Sequence, residues 1–168
     1  MVQYRFLLSA AAVGAVSLFS APAEAGYIIW PCSGTVTSPY GPRSSPCSGC
    51  STFHHGIDIG VASGTNLGAP ADGTFQSWVW DSCGGNIYTI SYGGGWTTRF
   101  LHCSAALDTS RGVTKNANVA RSGNTGSCTT GPHLHFEVRK DGVSQSIPGS
   151  AGTYVTRNTN IPKDFPGL

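Results

Sequence analysis

The chain of 168 residues contains 23 glycines, 10 prolines and 6 cysteines, and 39% of its residues are apolar. This length corresponds to one domain, so a multidomain arrangement is not expected. Ten basic residues nearly balance eight acidic ones, for a formal charge of +2 without a long run of either sign. This balance gives little support to a disordered polyelectrolyte or to charge-driven binding of nucleic acid.

The amino-terminal segment has the pattern of a secretory signal peptide. Arg5 precedes an apolar stretch at 6–19, and small residues follow up to Ala25. A membrane anchor is the alternative, but the stretch is shorter than the ~20 residues of a spanning helix. We predict a signal peptide over 1–25, cleavage after Ala25, and a secreted domain at 26–168 with its core at about 30–155. We expect this domain in the periplasm or outside the cell, without membrane contact.

The rest of the chain is predicted to be mainly β, because glycine or proline interrupts nearly every window of ten and β-branched and aromatic residues dominate the apolar segments. The glycines at 93–95 should form the turn of a hairpin. Only 105–109 could hold a helical turn, and 156–168 is predicted to be an irregular tail. The predicted strands are 27–30, 35–40, 57–59, 74–81, 86–92, 96–103 and 134–139.

The cysteines favour three disulfides, because an even number lies in a chain exported to an oxidising compartment. The alternative is that Cys47-Ser48-Gly49-Cys50 forms half of a zinc knuckle or a redox pair, but the sequence offers neither a second close pair nor a βαβ context. Many pairings are open among Cys32, Cys47, Cys50, Cys83, Cys103 and Cys128.

The five histidines lie in only three segments. Polar and apolar residues alternate over 133–138, which is the period of a half-buried strand. His133, His135 and Glu137 should therefore share one face. The two imidazoles would stand about 6 to 7 Å apart, as metal ligands can, although solvated side chains are the alternative for such a pair alone.

A second half-site is formed by His54 and Asp58. Their spacing of four residues spans ~13 Å on a straight strand, so a bend is required, and Gly56 can supply it. We expect a loop to deliver His54 and a strand to deliver Asp58. Imidazole nitrogen and carboxylate oxygen suit zinc, and three protein ligands with an open fourth position describe a catalytic site.

Three motifs in register carry a resemblance to a known family. The H-x-x-x-D at 54–58, the F-L-H at 100–102 and the T-G-P-H-L-H-F-E at 130–137 resemble the lysostaphin-type zinc metalloendopeptidases, which cleave the peptide bridges of peptidoglycan. The segments 30–41 and 69–74 resemble that family as well.

The resemblance implies a role for each residue. His54, Asp58 and His135 would hold one zinc ion per chain, and His102 and His133 would be catalytic. Spacing alone leaves both His133 and His135 open as ligands. The implied fold is a single antiparallel β-sheet domain with long loops around a zinc-containing groove.

The implied function is that of a secreted zinc-dependent endopeptidase that hydrolyses peptide bonds in peptidoglycan cross-bridges or stem peptides. We expect a peptidoglycan peptide as substrate, no nucleic acid partner, and a monomer. The alternatives are an endopeptidase acting on glycine-rich proteins such as elastin, a catalytically inactive regulator that binds the cell wall, and a disulfide-stapled adhesin. The five retained residues argue against the regulator, and an adhesin leaves the order of the histidines unexplained.

Four further residues complete the expectations. His55 has no role in the family and is interpreted as a flank. Glu137 could orient a histidine, but we expect a solvated surface carboxylate. Because Cys103 follows His102 and Cys128 lies in the loop before His133, we expect a disulfide there to brace the site.

Overall fold

The computed structural model describes residues 26–47 and 49–168. The predicted signal peptide at 1–25 lies outside the described residues. Within the described ranges the secondary structure is entirely β, so the predicted fold class is confirmed. No helix in this part of the chain is long and apolar enough to cross a membrane.

Fourteen strands make up this part of the chain, and several are only two residues long. They are β1 (Gly34–Ser38), β2 (Gly41–Pro42), β3 (Phe53–His54), β4 (Ile57–Gly60), β5 (Asn66–Gly68), β6 (Gly73–Asp81), β7 (Gly85–Gly93), β8 (Trp96–Cys103), β9 (Ala105–Ala106), β10 (Gly112–Val113), β11 (Asn118–Arg121), β12 (Leu134–Lys140), β13 (Val143–Gln145) and β14 (Tyr154–Val155).

One nine-stranded antiparallel sheet dominates the fold, in the order β10-β6-β7-β8-β12-β4-β1-β14, and β13 pairs with β12. A three-stranded sheet, β5-β11-β9, and the pair β2-β3 complete the architecture. The hairpin predicted around the glycines at 93–95 is present as β7 and β8. Six of the seven predicted strands are confirmed, with ends that differ by at most two residues.

The register of β12 brings distant motifs together. This strand lies between β4 and β8, and His135 is opposite Asp58 on one side and Leu101 on the other. Leu134, Phe136 and Val138 are fully buried in the core, as the alternation predicts. The intervening side chains therefore face the groove beside those of β4 and β8.

The predicted strand at 27–30 is wrong. Ile29 forms only an isolated bridge with Asn160, although Ile28 is fully buried. The backbone of this segment bonds to several loops, since the Ile29 N–H donates to the carbonyl of Pro70 and the Trp30 N–H to that of Thr159. An apolar run signals burial, but it does not identify the backbone partner.

Two other predictions are changed by tertiary contacts. The helical turn at 105–109 is wrong, because Ala105 and Ala106 form β9 and pair with β11. The tail at 156–168 is irregular as predicted, but it is also part of the core. Phe165 is fully buried and makes a T-shaped contact with Trp96, with ring centroids 5.8 Å apart.

Two disulfides are present in the described residues instead of three. Cys47 pairs with Cys50, and Cys128 pairs with Cys83 rather than with Cys103. Cys103 and Cys32 are free thiols. Both have no exposed surface, because they belong to the hydrophobic core.

Candidate metal centre

The three candidate ligands meet at one point. His54 ends β3, Asp58 lies in β4 and His135 lies in β12. Asp58 Oδ1 is 3.1 Å from His54 Nε2 and 2.8 Å from His135 Nδ1, and the two imidazole nitrogens are 2.9 Å apart. Residues separated by 77 positions in the chain are thus side by side.

The bend expected at Gly56 is present, but the reason for the glycine is different. Gly56 does not have a positive φ, so the left-handed region is not what requires it. A Cβ at this position would lie 2.4 Å from the Phe136 carbonyl oxygen and 2.8 Å from His135 Nε2. The side chain is absent because the turn packs directly against β12.

Hydrogen bonds define which nitrogen of each candidate ligand faces Asp58. His54 Nδ1 lies 2.8 Å from the Pro39 carbonyl oxygen and must donate to it. His135 Nε2 lies 3.3 Å from Glu137 Oε1. With these nitrogens protonated, the lone pairs of His54 Nε2 and His135 Nδ1 point at each other and at a carboxylate.

This donor set fits a metal ion. Two lone pairs and a carboxylate oxygen within 3.1 Å of one another repel unless a cation or a proton lies among them. The three ligand atoms lie close enough for one ion to bind all of them. Two imidazoles and one carboxylate are a recurrent ligand set of catalytic zinc sites.

The charges of the centre also favour a cation. Burial would raise the pKa of Asp58, but its hydrogen bonds with His135 and His54 outweigh burial and hold that pKa far below its ordinary value. Burial would lower the pKa of His135, yet Asp58 and Glu137 raise it to about 9. The surroundings of His135 therefore attract positive charge, whether it is carried by a proton or by a metal ion.

Glu137 is not the solvated carboxylate expected from the sequence. Only 5% of it is exposed, because β12 is an interior strand and Arg99 of β8 lies opposite. Its Oε2 accepts a hydrogen bond from Arg99 Nη1 at 2.9 Å. Burial would raise the pKa of Glu137, but His135 and Arg99 lower it to about 2, so a carboxylate stands behind His135.

His102 and His133 form a second pair next to the candidate ligands. Their ring centroids are 4.8 Å apart, and His133 Nε2 is 3.6 Å from Asp58 Oδ1. His102 Nδ1 donates to the Thr125 carbonyl at 2.8 Å, and His133 Nδ1 donates to the Gly131 carbonyl at 2.7 Å. In each ring Nε2 is left to act on a bound molecule.

The backbone of His102 is strained, with a φ of 61°. Non-glycine residues adopt this region rarely and often at functional sites. Burial lowers the pKa of His102 to about 4, which keeps the ring neutral near pH 7. His55, by contrast, is exposed and bonds to Ser144 Oγ through Nδ1 at 3.0 Å, outside both groups.

Sequence reasoning missed a guanidinium beside the centre. Arg43 Nη1 lies 3.4 Å from Asp58 Oδ2 and donates to Ser38 Oγ at 2.9 Å. Ser38 Oγ is in turn 3.2 Å from His54 Nδ1. No motif marks these residues, since their role follows from the contact of β1 and the β2–β3 loop with β4.

The groove around the centre has two unlike sides. One hollow is largely apolar, with Phe53 and Leu101 in its wall. The other is lined by hydroxyl groups, among them Thr37 and Thr130. Arg43 borders both hollows. An extended chain that crosses the centre would therefore meet different chemistry on each side.

Comparisons with known proteins show similarity to metallopeptidases. The model of Peptidase family M23 matches residues 52–147, which is more than half of the chain. An uncharacterized metalloprotease of Haemophilus influenzae is 36% identical over 124 residues, covering 69% of this chain and 26% of that protein. The peptidoglycan DD-endopeptidase ShyC of Vibrio cholerae is 30% identical over 113 residues, covering 66% of this chain and 26% of that protein.

A solved structure is similar as well. The crystal structure of a zinc containing peptidase from Vibrio cholerae matches with a TM-score of 0.64 and 26% identity, over 73% of this chain and 39% of that one. The chain spans about a quarter of the length of these two curated relatives.

Proposed function

Since this chain belongs to peptidase family M23, we propose that it is a zinc-dependent endopeptidase that hydrolyses peptide bonds in peptidoglycan cross-bridges or stem peptides outside the cytoplasm. The convergence of His54, Asp58 and His135, with His102 and His133 beside them, carries this proposal. The peptidoglycan substrate of ShyC, which its name states, supports the substrate class. The zinc in the similar crystal structure supports the choice of metal.

In this proposal, three side chains hold one zinc ion. His54 Nε2, Asp58 Oδ1 and His135 Nδ1 are the ligand atoms, because their lone pairs face a common point. A bound zinc ion supplies Lewis-acid polarisation of the peptide carbonyl and of a water molecule. Glu137 and the Pro39 carbonyl keep the two imidazoles in the required tautomers.

His102 and His133 move the proton. Both rings donate through Nδ1 to backbone carbonyls, so each Nε2 can accept the proton of the attacking water and return it to the leaving amine. A proton on His133 Nε2 is stabilised by Asp58 Oδ1 at 3.6 Å. The same pair, once protonated, can donate to the oxyanion of the tetrahedral intermediate.

The first experiment measures clearing of a cell-wall suspension by the purified protein. We expect the turbidity to fall, a chelator to stop the fall, and added zinc to restore it. Mass analysis of the released fragments then identifies the bond that is cut. If the protein bound the wall without chelator-sensitive clearing, it would be a binding protein rather than an enzyme.

Three alanine variants test the division of roles. His135→Ala should lose both zinc and activity, whereas His102→Ala should keep zinc and lose roughly 100-fold or more of its turnover. His55→Ala is the matched control for zinc content, because this neighbouring imidazole is exposed and bonds to Ser144 rather than to the candidate ligands. Loss of zinc from His102→Ala, to the same extent as from His135→Ala, would overturn the assignment.

A further inference from the structure

Four cysteines from three separate segments converge at the rim of the groove. Cys47 and Cys50 lie in the β2–β3 loop, Cys83 in the β6–β7 turn and Cys128 in the β11–β12 loop. The Sγ atoms of Cys47, Cys50 and Cys128 all lie within 4.8 Å of one another. The two disulfides of the described residues are therefore neighbours, although their positions in the chain do not require it.

This proximity is the condition for thiol–disulfide exchange. A thiolate attacks a disulfide sulfur directly, so the attacking and attacked sulfur atoms must come into contact. Cys50 borders the same hollow as Cys83 and Cys128, which makes Cys50 the natural nucleophile. Cys83 is exposed, and Cys47, Cys50 and Cys128 are half-buried, so a small reductant can reach the cluster.

We propose that this four-cysteine cluster is an exchange site for an external dithiol, and that exchange there replaces the Cys83–Cys128 disulfide with a Cys50–Cys128 disulfide. The free thiols of the core take no part, because Cys32 and Cys103 have no exposed surface. The cluster is therefore a closed set of four sulfur atoms.

The reaction has two steps. The dithiol first reduces the Cys47–Cys50 disulfide, so that two electrons and two protons pass to the cysteines and the dithiol leaves as its own disulfide. Cys50 then releases its proton to water, and its thiolate attacks Cys128 Sγ. The Cys50–Cys128 bond forms as the Cys83–Cys128 bond breaks, and Cys83 leaves as a thiolate that takes up a proton.

The new bond would join two loops that lie on opposite sides of the groove. Pro46, next to Cys47, lines a hollow together with Cys128, Asp58 and His133, so the β2–β3 loop and the β11–β12 loop face each other across the centre. A Cys50–Cys128 disulfide ties these loops together. It also removes the covalent link between the β11–β12 loop and the β6–β7 turn, which remain joined by hydrogen bonds such as that from the Cys128 N–H to the Cys83 carbonyl.

The β11–β12 loop orients both candidate catalytic histidines. It provides the Thr125 carbonyl that holds His102 and the Gly131 carbonyl that holds His133. Exchange at Cys128 should therefore disturb the orientation of this pair more than that of the candidate ligands. His54 Nδ1 and His135 Nε2 bond to Pro39 and Glu137, which lie outside the β11–β12 loop. This consequence for turnover rests on the proposed function, whereas the exchange reaction itself does not.

The decisive experiment uses Cys47→Ser in the otherwise intact chain, without reductant. This variant leaves the Cys50 thiol beside the Cys83–Cys128 disulfide. After acid quenching, alkylation and digestion, we expect mass spectrometry to find a peptide linked through Cys50 and Cys128, and an alkyl group on Cys83. The matched control is Cys47→Ser/Cys50→Ser, which has no attacking thiol and should leave Cys83 unmodified.

Alkylation of Cys50 alone in the single variant, with Cys83 unmodified, would overturn the proposal. A second measurement does not depend on the folding of any variant. The unaltered protein is equilibrated with graded mixtures of reduced and oxidised dithiothreitol and mapped in the same way. The Cys50–Cys128 peptide should appear at intermediate ratios, and loss of both original disulfides without it would also refute the exchange.

Cell-wall clearing and zinc content are measured on aliquots of Cys47→Ser and of Cys47→Ser/Cys50→Ser taken before the acid quench, because dithiothreitol itself binds zinc. We expect clearing to fall by roughly 10-fold or more as Cys50–Cys128 accumulates, with the zinc content unchanged. An unchanged clearing rate in exchanged protein would refute the effect on the catalytic pair. Absence of clearing in the oxidised protein would instead count against the proposed function, and the disulfide map would still test the exchange.

Discussion

Replacement of Gly56 by alanine tests how the half-site at 54–58 is built. A Cβ there would lie 2.4 Å from the Phe136 carbonyl oxygen, 2.8 Å from His135 Nε2 and 3.0 Å from the Phe136 carbonyl carbon. Two of these three atoms belong to the backbone of β12, which is hydrogen-bonded between β4 and β8 and cannot move away easily. The turn at 55–56 must therefore shift instead.

The expected cost follows from these contacts. Overpacking of a tight site costs about 1–3 kcal/mol, and the two contacts with backbone atoms favour the upper end, about 3 kcal/mol. For a domain of this size each kcal/mol lowers Tm by about 2–4 °C, so Tm should fall by roughly 10 °C. The added Cβ also crowds the ring nitrogen Nε2 of His135, which disturbs its bond to Glu137, and the zinc affinity should fall by about 10-fold.

Thermal melting of the metal-free protein, followed by circular dichroism, measures the fall in Tm. Competition with a coloured chelator measures the zinc affinity. Gly112→Ala is the matched control, because this strand glycine has no heavy atom within 4 Å of an added Cβ. Equal Tm values for the two variants, to within about 1 °C, would show that the turn at Gly56 has room for a side chain and that our explanation is wrong.

Three further predictions concern the surroundings of the centre. Glu137→Gln removes the charge behind His135 and should weaken zinc binding by about 10-fold to 100-fold in chelator competition. Cys32 and Cys103 should remain unlabelled by maleimide at pH 7 until the protein unfolds, because burial raises the pKa of both thiols to about 12. Phe165→Ala removes a fully buried ring of the tail and should lower the free energy of unfolding by about 3–5 kcal/mol in urea.

Each of these predictions has an outcome that contradicts it. If Glu137→Gln bound zinc as tightly as the unaltered protein, the Glu137 carboxylate would pair with Arg99 without any effect on zinc binding. Rapid labelling of either thiol in folded protein would contradict its burial. Tyr154→Ala, in β14, is the control for Phe165→Ala, because 65% of Tyr154 is exposed and its loss should cost no more than about 0.5 kcal/mol. A similar small cost for Phe165→Ala would show that the tail is not part of the core.

The family and the class of fold could be predicted from local patterns. Alternation of apolar and polar residues along 133–138 identified β12 and its two faces, because the period of a strand is a property of the strand itself. The order of the three histidine motifs identified the family that the M23 match confirms. The roles of His54, Asp58, His102, His133 and His135 stay predictions until the variants are measured.

The short strands and the tail show where local sequence patterns do not predict the structure. Ala105 and Ala106 have the composition of a helical turn, but pairing with β11 decides their conformation. Phe165 lies in the irregular backbone of the tail between Pro162 and Pro166, yet it packs against Trp96 of β8. Such contacts between distant segments override weak local propensities.

The sequence by itself determined which residue types are available for a metal and roughly where the strands that carry them begin and end. Only the tertiary structure decided the partners: the carbonyls that hold the histidines, the burial of Glu137 against Arg99, the approach of Arg43 to Asp58, and the pairing of Cys128 with Cys83. The physical reason is that a strand's period depends on its own residues, whereas a hydrogen bond, an ion pair or a disulfide depends on the distance between segments that only the folded sheet brings together.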